Sequence, residues 1–231
     1  MSQVPLEGKV LKENDLIAAQ LRERFRLHGT FCVNLISSPG SGKTTLLEKT
    51  LAAMPPTECI GVLTGDIQTE NDAKRLGRYG FPVKQIVTGG TCHLDARMIE
   101  RHLADWDLGS LDLLFIENVG NLVCPSSYDL GEAAKIVLLS TTEGEDKPLK
   151  YPSIFFKSEL LVITKTDLLP YVPFDIAAAE ENARRVHPGI EIIRTSSLGG
   201  PDSDNAGLDQ WLAWLEQRKQ QFRAANDAVT V

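Results

Sequence analysis

The sequence predicts an α/β fold, a mostly parallel sheet of about seven strands with helices on both faces. Three observations predict it. Strand-like and helix-like runs alternate along the 231 residues. The strand-like runs are almost wholly apolar, as strands buried on both faces must be. The first of them, Phe31 to Ser37, passes into a Pro/Gly/Ser loop and then into a helix that begins Lys43-Thr-Thr-Leu-Leu47. The length suffices for one full core, and a composition that is 42% hydrophobic supports a globular chain.

Taken in order, Val10, Leu11, Leu16, Ile17, Leu21 and Phe25 recur at helical spacing, with Lys12, Glu13, Arg22, Glu23 and Arg24 on the charged face. Residues 1–28 therefore read as an N-terminal amphipathic helix, either packing on its own core or presenting a docking face. Residues 29–231 form the α/β domain. After the helix that starts at Lys43, Pro55-Pro56 enforces a break. Cys59 to Thr64 is the second strand, followed by a helix over Thr69 to Arg78 and a strand over Val83 to Val87. Gly89-Gly90 opens a loop that carries Thr91-Cys92-His93, and a helix runs from there to about Trp106. Further strands are expected at Leu111 to Ile116, Lys135 to Ser140, Leu160 to Thr164 and Ile190 to Ile193, and helices at Phe174 to Val186 and Leu208 to Arg223. Only Gly199 to Gly207 and the extreme C-terminus look loose. There is no internal repeat.

Lys and Arg total 24 against 31 Asp and Glu, a net charge of −7, which provides no basic field for nucleic acid or anionic lipid. No apolar run reaches the roughly 18 residues of a membrane span, and Met1 to Lys9 lacks a signal pattern. A cytoplasmic protein is expected. In that reducing compartment the widely spaced Cys32, Cys59, Cys92 and Cys124 are thiols, with Cys32 and Cys59 inside strands as small core residues.

Strand, glycine loop and helix around Ser37-Ser-Pro-Gly-Ser-Gly-Lys-Thr-Thr45 identify a P-loop, hence a P-loop NTPase. Backbone N–H groups of Gly40, Ser41 and Gly42 and the helix N-terminus surround phosphates, Lys43 reaches the outer ones, Thr44 places a hydroxyl on Mg²⁺, and Thr45 continues the helix start. Ser37 stands where the strict pattern has Gly. In open α/β sheets ligands collect at the carboxyl ends of strands. Asp66 and Glu117 follow apolar runs and are candidates to meet Mg²⁺ beside Thr44, with Lys43, Asp66 and Glu117 as the catalytic set. Gly120 suits a loop that closes its backbone on a γ-phosphate. Thr164-Lys-Thr-Asp167 resembles the N/T-K-x-D base-reading element of GTPases. A carboxylate at Asp167 accepts from N1–H and the 2-amino group of guanine, whereas adenine offers no such pair, so GTP is favoured over ATP. Lys165 would lie along the base, and Ser196 and Ser197 could supply backbone donors to O6. Thr164 replaces the commoner Asn and puts in question the contact that ties this element to the P-loop.

Cys92, His93 and Cys124 lie in loops, and thiolate with imidazole suits Zn²⁺ or Ni²⁺. Three soft ligands are one short of a closed tetrahedron, leaving room for water, a partner or a second copy of the chain. The spacing alone leaves metal binding open. Cys124 lies within about 14 Å of Gly120 even in an extended chain, close enough for nucleotide-driven loop movement to reach it.

Together Ser37 to Thr45, Gly65-Asp-Ile-Gln-Thr-Glu-Asn-Asp72, Cys92-His-Leu-Asp95, Glu117-Asn-Val-Gly-Asn-Leu-Val-Cys-Pro125, Thr142-Glu-Gly-Glu-Asp-Lys-Pro148 and Thr164 to Asp167 resemble the hydrogenase nickel-incorporation GTPases, the HypB family. Urease accessory GTPases are similar, but place a proline between Cys and His where Cys92 and His93 are adjacent. The resemblance implies a slow GTPase that dimerises with nucleotide and helps deliver nickel to the large subunit of a [NiFe]-hydrogenase, with a HypA-type zinc-containing accessory protein as partner. It implies that Cys92, His93 and Cys124 form a metal site at the dimer interface, that the helix near Val10 to Phe25 docks the partner, and that Lys147 and Lys150 are functional without assigning them a step. It also implies an N-terminal Cys-rich or His-rich tract in many members, which residues 1–31 do not contain. The rival readings are an ATP-dependent small-molecule kinase, which gives Asp167 no base to read, and a metal-storage protein, which calls for a His- or Cys-dense tract.

Overall fold

The computed structural model describes residues 6–66, 71–196 and 206–229. Strands β1 (Phe31–Ser37), β2 (Ile60–Asp66), β3 (Val83–Val87), β4 (Leu113–Glu117), β5 (Ala134–Ser140), β6 (Leu160–Thr164) and β7 (Glu191–Arg194) form one sheet in the order β3-β2-β4-β1-β5-β6-β7. Every pairing is parallel, so the expected mostly parallel sheet is wholly parallel among the described residues. Helices are α1 (Leu6–His28), α2 (Lys43–Ala53), α3 (Asn71–Leu76), α4 (Ala96–His102), α5 (Lys147–Lys150), α6 (Pro152–Lys157), α7 (Ile176–Val186) and α8 (Ala206–Val229). None is long and apolar enough to cross a membrane.

Alternation along β1 shows why the strands read as continuous apolar runs. Phe31, Val33 and Leu35 face a layer made by Leu46, Leu47 and Leu51 of α2 and by Trp211, Trp214 and Leu215 of α8. Cys32 faces the opposite layer, with Ala18, Leu21 and Phe25 of α1 and Ile99 of α4, while Ile36 joins Val137, Leu161, Phe155 and Ala179 further along that side. Both faces are covered, so neither can be polar. The parallel register brings Leu35 opposite Glu117 on β4, and Glu117 opposite Thr64 on β2. Asp66 and Glu117 are thus the last residues of neighbouring strands rather than residues beyond them.

Several sequence expectations change. On α1 the buried stripe is Asn14, Ala18, Leu21 and Phe25, whereas Val10 and Leu16 are exposed; Asn14 is buried because its amide is fully used across the fold. Cys59 is exposed rather than a core residue. It precedes β2 at the sheet's amino edge, where its N–H donates to the Asp112 carboxylate and its carbonyl accepts from Asp112 and Leu113, so its backbone is fixed while its thiol projects outward. The helix expected from Thr69 begins at Asn71 among the described residues and tightens into a 3₁₀ turn at Gly77–Tyr79. The helices at 147–157, each with Pro in its first turn, are too short to show periodicity in sequence.

The α8 layer depends on Trp211, which is fully buried and donates its indole N–H to Thr50 Oγ1 at 2.8 Å. Trp211→Ala is expected to destabilise the protein by about 3–5 kcal/mol in denaturant titrations, and Trp211→Phe by clearly less, because the ring is largely refilled.

Candidate functional site

The P-loop follows β1 directly. Gly42, whose φ is 94°, precedes α2, and no side chain caps the helix, in contrast to α4 and α7, which Asp95 and Asp175 cap. Its N-terminal N–H groups are therefore left to an anion. Gly40, Gly42, Lys43, Thr44 and Thr45 line a cleft of about 510 Å³ with Asp66, Glu117, Gly120 and Lys165. Ser41 is buried beneath it, its hydroxyl donating to Ser38 O and to the Glu143 carboxylate. Ser37, the departure from the strict pattern, has a use: Lys43 Nζ donates to its Oγ at 2.9 Å, and that hydroxyl donates to Ser38 O. Burial lowers the Lys43 pKa, and Glu117, Asp72, Glu143 and Asp66 oppose the shift.

Thr44 Oγ1 donates to Glu117 Oε1 at 2.7 Å, while Glu117 Oε2 is buried without a hydrogen-bond partner. Burial pushes the Glu117 pKa up to about 7 against the opposing pull of Lys43 and the Thr44 bond. An orphaned carboxylate oxygen next to a threonine hydroxyl, with Asp66 ending the next strand, suits a hard divalent cation. Gly120 packs so closely on the P-loop that an added Cβ would stand 2.8 Å from Pro39 Cα. The phosphate loop and the loop after β4 are therefore in backbone contact.

At the other end of the cleft Thr164 answers the question its sequence raised. Its hydroxyl donates to Ser41 O at 2.7 Å, so a hydroxyl rather than an amide ties this element to the P-loop. Lys165 adopts a left-handed φ of 58° and its carbonyl accepts from Thr141 Oγ1. Asp167 Oδ1 accepts from Ser196 Oγ at 2.9 Å, and Lys49 Nζ donates to Ser196 O. Ser197 lies outside the described residues.

Cys92, His93 and Cys124 converge, with their ligand atoms all within 4.8 Å of one another. Cys92 Sγ is 2.8 Å from Cys124 Sγ and 3.9 Å from His93 Nδ1. The His93 ring stacks on Tyr128 at 3.8 Å, and burial lowers its pKa, favouring the neutral imidazole that binds metals. The Cys92 hydrogen bond, with burial adding to it, raises the Cys124 pKa. Asn121 joins the two loops: its amide donates to Cys92 O at 3.4 Å and its carbonyl accepts from Val123 N.

Sequence reasoning missed Arg75 and gave Asp72 no role of its own, yet both line the cleft; Arg75 forks onto Glu48 of α2 and reaches Asp72 at 3.2 Å. It also missed Glu143, which accepts from Ser41 Oγ and Ser140 N and pairs with Lys147 at 3.4 Å, while Lys147 Nζ donates to Ser38 Oγ. Lys147 thereby braces the P-loop from outside, a task the sequence had left blank. Lys150 pairs with Asp146 on the surface.

The raised Glu117 pKa sets a pH dependence. The folded protein holds a proton that the unfolded chain releases above its ordinary value of 4.5, so stability is fully present below that value and is lost as pH rises through about 7. In the nucleotide-free, metal-free protein, Glu117→Gln should melt several degrees above wild type at pH 8, reflecting roughly 3 kcal/mol, and lose that advantage near pH 5. Equal melting differences at both pH values would show that Glu117 ionises normally.

Comparison with known proteins agrees with this geometry. The family description "CobW/HypB/UreG, nucleotide-binding domain" matches residues 31–194. "Hydrogenase maturation factor HypB" of Azotobacter vinelandii is 50% identical over 97% of this chain and 73% of its own length. "Hydrogenase/urease maturation factor HypB" of Helicobacter hepaticus is 46% identical over 94% of this chain and 89% of its own length. The crystal structure of HypB from Helicobacter pylori in complex with nickel superposes with a TM-score of 0.83 at 41% identity, covering 90% of this chain and 96% of that one. With the nucleotide-binding domain matched from residue 31 to 194 and half of its residues shared with HypB over nearly its whole length, the chain belongs to the HypB family of P-loop NTPases.

Proposed function

We propose that the protein is a GTP-hydrolysing metallochaperone that helps insert nickel into [NiFe]-hydrogenase, with nucleotide state coupled to metal binding and dimerisation. The observation that carries this reading is the single segment from Glu117 to Cys124, which holds the Thr44 hydroxyl at one end and meets Cys92 and His93 at the other. Relatives named as hydrogenase maturation factors and a nickel-bound homologue support nickel as the cargo.

The phosphates sit on the uncapped start of α2 within Gly40 to Thr45, and Lys43, already desolvated, offers its ammonium to the outer phosphates. Thr44, Asp66 and Glu117 would hold Mg²⁺, which supplies charge neutralisation on the phosphates. The Gly120 backbone approaches the γ-phosphate, and water attacks the γ-phosphorus as the bond to the β-phosphate oxygen breaks, giving GDP and phosphate. Asp167 and Lys165 read guanine, with Ser196 and Ser197 near its O6.

Cys92, His93 and Cys124 hold nickel or zinc, a site that a second copy of the chain or water completes. The partners are a second copy, a HypA-type zinc-containing accessory protein at α1 and the hydrogenase large subunit, in the cytoplasm, with neither nucleic acid nor membrane. The double name of the Helicobacter hepaticus relative favours urease as a second recipient.

The test is titration of the full chain with GTP, ATP and their diphosphates, with and without Ni²⁺ or Zn²⁺, reading oligomer size throughout. GTP should bind at least tenfold more tightly than ATP, and metal should shift both nucleotide affinity and dimer fraction; equal ATP binding with no metal effect would sink the proposal. Asp167→Asn should weaken GTP by roughly 10- to 100-fold and improve xanthosine triphosphate, whose 2-oxo group accepts from the new amide. Cys124→Ala should lower nickel affinity at least tenfold while leaving GTP affinity in the absence of metal within twofold.

A further inference from the structure

Asn118 follows Glu117 and is almost completely buried. Its side-chain oxygen accepts from Leu94 N at 3.2 Å and from Val119 N at 3.0 Å, and its amide donates to Asn34 Oδ1 at 3.3 Å. Asn34, in the middle of β1, donates onward to Glu132 Oε1 at 3.1 Å, and Glu132 Oε2 accepts from Leu130 N. One side of Asn118 is thus linked through Asn34 to the sheet interior. The other is attached to the residue that follows His93.

Leu94 has a second attachment to the phosphate end. Its side chain is completely buried against Gly65, where an added Cβ would meet Leu94 Cδ1, Cδ2 and Cγ at 2.9 Å. Gly65 directly precedes Asp66, as Asn118 directly follows Glu117. The loop that carries Cys92 and His93 is therefore anchored on Leu94, by its N–H to the end of β4 and by its side chain to the end of β2. Those are the strand ends whose acids face the phosphate cleft. A buried N–H that loses its acceptor costs too much to be left unmade, so any displacement of Asn118 would carry Leu94 with it.

We infer that Asn118 is a positioning residue that transmits displacement of Glu117 to the Cys92–His93 loop and so sets the metal geometry by nucleotide state. The connection from Gly120 to Cys124 runs along the chain; this one crosses from strand to loop through a side chain and acts on the other two ligands. The inference rests on the proposed coupling of nucleotide and metal, and it adds the residue through which that coupling passes.

The test titrates the full chain with Ni²⁺ in the GDP form and in the form bound to a non-hydrolysable GTP analogue, reading thiolate-to-nickel absorption. Wild type should show affinities that differ at least fivefold between the two forms. In Asn118→Ala the ratio should fall to within twofold of unity while both nucleotides still bind. A variant that keeps the wild-type ratio overturns the role of Asn118 and leaves the proposed function standing. A wild-type ratio of unity overturns the coupling itself, and the Asn118 role with it. Should Asn118→Ala fail to fold, amide exchange in wild type decides: the Leu94 N–H should change protection at least threefold between the two nucleotide forms, and equal protection overturns the inference.

Discussion

The structure depends on a buried carboxyl group. Glu117 is carried to the carboxyl end of the central sheet by an apolar strand that leaves it no exit to solvent, with one oxygen bonded to Thr44 and the other without a hydrogen-bond partner. In a protein without ligand such a group is costly, and its pKa near 7 expresses that cost. Lys43 and the Thr44 hydroxyl offset part of that cost, and the oxygen left over is one that suits a cation. Lys43 is in the opposite position, a buried ammonium held on a serine hydroxyl.

Much of this was legible in the sequence because it is local. The P-loop needs a strand, a turn and a helix start within a few residues, and the acids at the strand ends are marked by where an apolar run stops. The same locality explains what stayed hidden. Glu143 meets Ser41 across a sequence separation of 102, Asn118 meets Leu94 across 24, and Arg75 meets Glu48 across 27. No periodicity records such pairs, since each depends on which strands become neighbours in the sheet. Cys59 was misjudged for a related reason. A residue at the amino edge of a buried strand shares the strand's composition without sharing its burial.

Thr164 shows that a departure from a pattern can preserve its physics. The element from Thr164 to Asp167 must be tied to the P-loop if the two ends of the cleft are to keep a fixed spacing. A donor of the right reach is enough, and the hydroxyl bond to Ser41 O supplies it. Below the loop, Glu143 and Lys147 extend the same bracing to the segment before α5, so the P-loop is held from the base side and from outside. The segment after β4 contacts Pro39 on one side and leads to Cys124 on the other.

Lys165 is the only described residue other than glycine with a positive φ. A side chain in that region carries a backbone penalty of about 1 kcal/mol that glycine would not. The Thr141 hydroxyl holds the conformation by taking the Lys165 carbonyl, and the lysine lines the cleft. The position therefore gives up backbone stability to place a long cationic side chain in the cleft. Replacing Lys165 by glycine would relieve that penalty and remove a cation from the cleft.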